Sequence, residues 1–189
     1  MTNPLISKAL EIASIAHAKQ KRKGTNIPYI IHPVGVMLVA SEVTDDPAIL
    51  AACLLHDVLE DCDPSIYSEA DMLRDFGADV TNAVKAVSKD ETISGWRERN
   101  EAYLDHIRST PHTAAHTVCA ADKIHNLTSM LEDYEVVGNK LWDRFNASKE
   151  AQLWWYESVL EALASRDAPI GLTDQLSDLV AKLKLVLTS

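Results

Sequence analysis

The sequence predicts an all-α fold, and three observations carry that expectation. Apolar residues recur at helical spacing through nearly the whole chain. Gly and Pro are sparse, 6 and 7 of 189 residues, which argues against an all-β domain rich in tight turns. The few strand-like segments are too short to build a sheet. Apolar residues make up 47% and charged residues 24%, so a packed core rather than disorder is expected. No repeat, low-complexity stretch or linker interrupts the pattern, and a single domain over residues 1–189 follows. The number of helices predicts a multi-helix globule rather than a simple four-helix bundle.

Each element has its own signal. Leu5, Ile6, Ala9, Leu10, Ile12, Ala13 and Ala16 mark one face of a helix within residues 5–20. Pro28 and Pro33 bracket a short extended segment, PYIIHP, and Pro33 then starts a helix through about Ala40. Pro47 opens the helix DDPAILAACLLHDVLEDC in the same way. Ser68 reads as an N-cap and Gly77 as the stop of the next helix. Further helices are expected at 78–88, 95–108, 114–133, 148–165 and 173–187, the last with Leu176, Leu179, Val180, Leu183 and Leu187 on its apolar face. The stretch from Trp142 to Leu163 is rich in Trp and Leu and reads as core.

Charge and cysteine content narrow the function. Eighteen basic against 28 acidic residues give a net charge of −10, which argues against a duplex nucleic-acid binder working by phosphate neutralisation. A small phosphorylated substrate stays compatible, because it feels local charge and any bound metal more than the net charge. No apolar run reaches the roughly 18 residues of a membrane helix. The N-terminus lacks the pattern of a signal peptide. Three cysteines give no disulfide framework, and a cytoplasmic location is expected.

Four segments carry chemistry. In HDVLED, residues 56–61, a helix of about 100° per residue puts Asp57, Glu60 and Asp61 at about 100°, 40° and 140° from His56. One imidazole and three carboxylates then share a face opposite Ala51, Ala52, Leu54, Leu55, Val58 and Leu59. Three close acids repel one another, and a divalent cation would offset that repulsion. His32 stands between the extended segment and a helix start. In AADKIHNLTSML, Asp122, Asn126 and Ser129 form one polar stripe opposite Ile124, Leu127 and Leu131, either a cleft wall or the exposed side of an amphipathic helix. KQKRKG at 19–24 is either a favourable helix C-terminus or a basic rim for phosphate or a base.

Taken together, AHAKQKRKGTNIPYIIHP, AACLLHDVLEDC, the DFG and VSK region and AADKIHNL resemble the HD-superfamily phosphohydrolases. Within them they resemble the hydrolase domain of RelA/SpoT proteins and the small alarmone hydrolases, in order and spacing over roughly residues 5–130. The resemblance implies an HD-domain globule with a metal site between helices. It implies His32, His56, Asp57 and Asp122 as metal ligands and Glu60 and Asp61 as the catalytic pair that handles the nucleophilic water. It implies Arg22, Lys23, Asn126 and Ser129 as substrate-binding residues. The implied cofactor is Mn²⁺, with Fe²⁺ or Co²⁺ equally compatible with a mixed nitrogen and oxygen donor set.

The implied reaction is hydrolysis of the 3′-pyrophosphate of a guanosine alarmone such as ppGpp, giving GDP or GTP and pyrophosphate. The same site acting on ppApp or another phosphorylated nucleotide is the alternative, and a nucleotide-binding sensor without turnover is a third reading. The expected partner is the nucleotide, with no duplex nucleic acid and no membrane; the oligomeric state stays open, a homodimer included. The chain has no room for a synthetase or regulatory domain. Beyond residue 130 the resemblance fades, and LEDYEVVGNKLWDR leaves Lys140 and Arg144 as the basic candidates near the phosphates. Cys53, His125 and Trp96 are read as structural and Trp142, Trp154 and Trp155 as core or a partner contact, while Ser88-Lys89 either resembles a family loop near the active site or is a helix C-terminal lysine.

Overall fold

The computed structural model describes residues 3–166 and 168–188, so the expected domain limits, residues 1 and 189, lie outside the described residues. Helix α1 (Pro4–Ala16) starts where Asn3 caps it, its side-chain oxygen accepting from the Leu5 N–H at 2.9 Å. Such a cap contributes about 1 kcal/mol. Its Ala9, Ala13 and Ala16 let it pack closely on α3 (Pro47–Leu55). The helix ends at Ala16 rather than near residue 20, and the chain turns back through a loop pinned by a bridge between Lys21 and Pro28. Gly24 sits in this loop at φ 75°, where only glycine is unstrained.

The expected extended segment PYIIHP is a turn followed by a helix. Helix α2 (Ile31–Ala40) begins before Pro33, which lies in its first turn. A first-turn proline loses nothing, since that N–H would lack an intrahelical partner anyway. His32 therefore projects from a helical turn, with its N–H bonded to the Tyr29 carbonyl at 2.8 Å.

Asp46 caps α3, and Leu50 to Leu55 are all buried, so this helix is apolar on every side. It does not run on through HDVLED. The regular helix stops at Leu55, and α4 (Val58–Asp61) follows after His56 and Asp57. Both intervening residues keep right-handed backbone angles, and the Asp61 N–H reaches the Asp57 carbonyl at 2.8 Å. The break thus leaves the imidazole and the acids on one side of the chain.

Helix α5 (Glu69–Val87) opens with a capping box between Ser68 and Asp71 and is interrupted at Gly77, φ 78°. Both the expected cap and the expected stop are there. Helix α6 (Trp96–Ser109) follows the prediction, while α7 (Thr113–Val137) runs four residues beyond residue 133. A 3₁₀ segment, η1 (Gly138–Arg144), α8 (Lys149–Ala164) and α9 (Ile170–Thr188) complete the fold. No strand occurs among the described residues.

Helix α7 is the centre of the molecule, packed by α2, α3, α5, α8, α9 and η1. Its buried stretch is apolar except for His116, Thr117, Asp122 and Lys123. The C-terminal aromatic stretch divides. Trp155, Tyr156 and Leu163 are core, while Trp142, Trp154 and Phe145 are only partly buried. Among the described residues no helix is long and apolar enough to cross a membrane.

Candidate metal centre and adjoining pocket

The break after α3 meets the first turn of α2 and the middle of α7 at one point. The Nε2 atoms of His32 and His56 face each other at 3.2 Å. Asp57 Oδ2 lies 3.1 Å from His56 Nε2 and 3.5 Å from His32 Nε2. From α7, Asp122 Oδ1 lies 3.1 Å from His32 Nε2 and 3.7 Å from His56 Nε2. Bonds of about 2.0–2.2 Å to a shared cation place donors about 3 Å apart, which matches this spacing. Both imidazoles are buried, and the donor atoms of His32, His56 and Asp57 all lie within 4.8 Å of one another. The donor set therefore fits a divalent cation.

The outer contacts orient these donors. His56 Nδ1 lies 2.8 Å from the Cys53 carbonyl. A carbonyl can only accept, so Nδ1 carries a proton, and the ring is held with Nε2 facing inward, the atom that would ligate a metal. Tyr29 donates its hydroxyl to Asp57 Oδ2 at 2.7 Å. Asn126 donates to Asp122 Oδ1 at 2.5 Å, and Lys123 pairs with Asp122 Oδ2. His32 Nδ1 meets His125 Nδ1 at 3.0 Å.

The charges follow from this packing. Burial lowers the His32 pKa below its ordinary value. Burial opposes a charged His56 as well, but the Asp57 and Asp122 carboxylates outweigh it and raise its pKa well above the usual imidazole range. Burial works against both carboxylates too, yet His56 on Asp57 and Lys123 on Asp122 hold them ionised. Burial pushes His125 down to about 4, leaving that ring neutral at pH 7. Glu60 is raised by burial, although its carboxylate accepts the Lys89 N–H at 2.8 Å. Burial and the neighbouring Lys123 bring Lys89 down to about 8.

These groups line a polar cavity of about 160 Å³ that includes Tyr29, Asp57, Glu60, Asp61, Lys89 and Asn126. Tyr29 and Asn126 also wall a second cavity of about 480 Å³. Arg22, Lys23, Ser129, Arg144, Phe145 and Trp155 are among its lining residues. Arg22 donates to Asn126 Oδ1 at 3.3 Å and lies over the Tyr29 ring, 5.9 Å from its centroid. The structure thus brings Arg22, Lys23, Asn126 and Ser129 to one cavity and His32, Asp57, Asp122, Glu60 and Asp61 to the other, with His56 behind it in contact with His32 and Asp57 and a shared wall between the two cavities. Arg144 lines the larger cavity and pairs with Asp133 at 2.8 Å, whereas Lys140 is exposed and is not part of its lining.

Sequence reasoning missed Tyr29 and Lys123, set His125 aside and left Lys89 between a loop near the site and a helix end. Tyr29 stood in the segment read as extended, three residues before His32. Lys123 adjoins Asp122, and its position off the polar stripe concealed it. Neither pairing is visible in helical spacing, because both depend on how separate helices meet.

The HD domain family model matches residues 9–150 of the chain. Over 131 residues the chain is 37% identical to guanosine-3′,5′-bis(diphosphate) 3′-pyrophosphohydrolase MESH1 of Xenopus tropicalis, covering 67% of this chain and 69% of that protein. It is 32% identical over 139 residues to the bifunctional (p)ppGpp synthase/hydrolase SpoT of Escherichia coli K12. That match covers 74% of this chain but only 17% of the relative. A solved metazoan ortholog of SpoT that hydrolyses ppGpp superposes with a TM-score of 0.80 at 25% identity, covering 96% of this chain and 97% of that one. The helices that bring the two histidines and two aspartates together, and the match that spans them, establish that this chain belongs to the HD domain family as a RelA/SpoT-like hydrolase.

Proposed function

We propose that the chain is a Mn²⁺-dependent pyrophosphohydrolase that removes the 3′-pyrophosphate of a guanosine alarmone such as ppGpp. The observation that carries this reading is the shared wall. A compact polar cavity with a cation-binding donor set opens beside a larger cavity with basic and aromatic walls, and Tyr29 and Asn126 belong to both. A nucleotide lying across that wall would place its nucleoside against Arg22, Lys23, Ser129 and Phe145 and its 3′-phosphates against Asp57, Glu60 and Lys89. The pyrophosphohydrolase name of the Xenopus relative and the ppGpp hydrolysis of the solved metazoan ortholog support the choice of substrate.

His32, His56, Asp57 and Asp122 would hold the metal, which would polarise a phosphoryl oxygen and acidify a nearby water. Glu60 and Asp61 orient the attacking water and take up its proton, and burial raises both carboxyls above their ordinary values, which makes each a better proton acceptor than a free carboxylate. The water oxygen bonds to the phosphorus next to the 3′-oxygen, and the bond between that phosphorus and the 3′-oxygen breaks. The 3′-oxygen leaves with a proton, and pyrophosphate is the other product. Lys89 and Lys123 stand on the same cavity to balance phosphate charge. We place the reaction in the cytoplasm, where Cys53, Cys62 and Cys119 stay as the free thiols found here.

Chelator-stripped protein reloaded with Mn²⁺ and incubated with ppGpp should release pyrophosphate and GDP, resolved by anion exchange. Release of orthophosphate instead, or no product from the reloaded protein, would sink the assignment.

A further inference from the structure

The two inward-facing imidazoles are held from behind in different ways. His56 Nδ1 is fixed by the Cys53 carbonyl, a group that can only accept. His32 Nδ1 is held at 3.0 Å by His125 Nδ1, and an imidazole nitrogen can donate or accept. The His125 ring is locked in place by its other edge. Its Cδ2 and Nε2 lie so close to Gly35 that a methyl group at Gly35 would overlap them. Gly35 sits inside α2, where glycine costs about 0.5–1 kcal/mol relative to alanine. The close ring contact accounts for a glycine in that helix.

We propose that His125 is a positioning residue for His32, accepting the His32 Nδ1 proton through its own Nδ1 and so keeping the His32 Nε2 lone pair aimed at the metal position. This rests on reading His32 as a metal ligand. The pair also solves a burial problem without metal. His32 Nε2 then holds a proton for Asp122 Oδ1, 3.1 Å away, and His125 Nδ1 donates to His32 Nδ1. When a cation takes the Nε2 lone pair, His32 carries its proton on Nδ1 and His125 carries its own on Nε2. Each ring keeps one proton in both states, so no charge is buried. A carbonyl behind His32 could serve only the second arrangement.

The test is Mn²⁺ affinity of chelator-stripped protein, by titration calorimetry, for the wild type, His32→Ala, His125→Phe, His125→Asn and Gly35→Ala. Removing an outer partner of a ligating histidine typically weakens metal binding about 10–100-fold, and His125→Phe should fall in that range. His125→Asn should stay within about threefold of wild type, because its amide oxygen accepts in place of Nδ1. Gly35→Ala should weaken binding by displacing an intact His125. Far-ultraviolet circular dichroism and thermal unfolding identify any variant that fails to fold. The wild type supplies an independent readout. With diamagnetic Zn²⁺ bound, long-range ¹H–¹⁵N spectra should show His32 protonated at Nδ1 and His125 at Nε2.

A folded His125→Phe that binds Mn²⁺ like the wild type, while His32→Ala does not bind, overturns the inference and leaves the ligand reading intact. A proton on His125 Nδ1 in the Zn²⁺-loaded protein overturns it as well. His32→Ala binding Mn²⁺ like the wild type would remove both readings together.

Discussion

The small cavity is walled mainly by α2, α4, the end of α5 and α7, whose side chains hold one another, whereas the large cavity is walled by a turn, a 3₁₀ segment and helix flanks. In and behind the small one, most of the polar side chains are tied to a protein partner. His56 is tied to Cys53, Asp57 to Tyr29, Asp122 to Asn126 and Lys123, and Glu60 to the Lys89 N–H. In the large one, Lys23 is exposed beside Phe145, and Arg22 is shared between Asn126 and the Tyr29 ring. A preorganised donor set favours chemistry, since little needs to rearrange in the transition state. A looser basic and aromatic wall favours binding. Substitutions in the first should therefore act on kcat or metal retention, and those in the second on KM.

The largest effect should come from Asp57→Ala. It deletes a carboxylate that faces both imidazoles and the acceptor for the Tyr29 hydroxyl. Loss of the metal forfeits several kcal/mol of charge stabilisation, so kcat/KM should fall by about 10³-fold or more. Bound Mn²⁺, counted by atomic absorption after desalting, should vanish with it. Turnover at the wild-type level would remove the metal assignment. Glu60→Gln sharpens the contrast inside the same cavity. It keeps the shape and can still accept from the Lys89 N–H, but it cannot take a proton. The metal content should stay and kcat should drop about 10²–10³-fold, within the range of general-base contributions. A variant that loses Mn²⁺ instead would make Glu60 a ligand.

The separation between the cavities also marks how far the sequence was legible. Asp57, Glu60 and Asp122 could be placed because helical spacing and motif order survive folding, even though α3 breaks at His56. That break is a change in hydrogen bonding with the backbone still right-handed, so faces computed for a continuous helix stay nearly correct. His32 was identified while its setting was misjudged, because a proline in a first turn resembles a proline after an extended segment. Tyr29, Lys123 and His125 depend on contacts between distant segments, which no periodicity encodes. The far wall of the large cavity was the least legible part. Arg144, Phe145 and Trp155 lie where the family resemblance fades, and a run of Trp and Leu signals burial without saying which aromatic faces a cavity.

Lys89 tests whether charge in the small cavity costs stability. Its ammonium lies 4.7 Å from the Trp155 ring centroid, and its pKa is down to about 8 from an ordinary 10.5. At pH 7 the lysine is protonated in both folded and unfolded chains, and the folded chain bears the desolvation. Between about pH 8 and 10.5 the unfolded chain binds the extra proton, so this group makes the fold more stable as pH rises. That contribution is lost as pH falls through about 8. Lys89→Met should therefore raise the stability of metal-free protein at pH 7 by about 2–3 kcal/mol, with a gain that shrinks toward pH 10. Its activity should fall, since a cation near the phosphates is gone. Urea unfolding of both proteins at pH 7 and pH 10 checks this, and a gain independent of pH would assign the effect to packing alone.

The smallest effects belong to the large cavity, and their order tests how it is built. Arg22 bonds Asn126 and covers Tyr29, the two residues common to both cavities. Arg22→Ala should raise KM about tenfold with kcat nearly unchanged, the mark of binding that is uniform between ground and transition states. Arg144 lines the same cavity, but Asp133 already neutralises it at 2.8 Å. Part of its charge is thus spent within the protein, and Arg144→Ala should raise KM only about two- to fourfold, less than one hydrogen bond to a charged group is usually worth. Asp133→Asn would free that guanidinium and should lower KM slightly. Lys140 is exposed and away from the lining, so Lys140→Ala should leave both constants unchanged. Steady-state kinetics on the four variants separate an arginine that faces the ligand from one that only buttresses the wall. If Arg144→Ala lowered kcat while sparing KM, the functional division between the two cavities would fail at that residue.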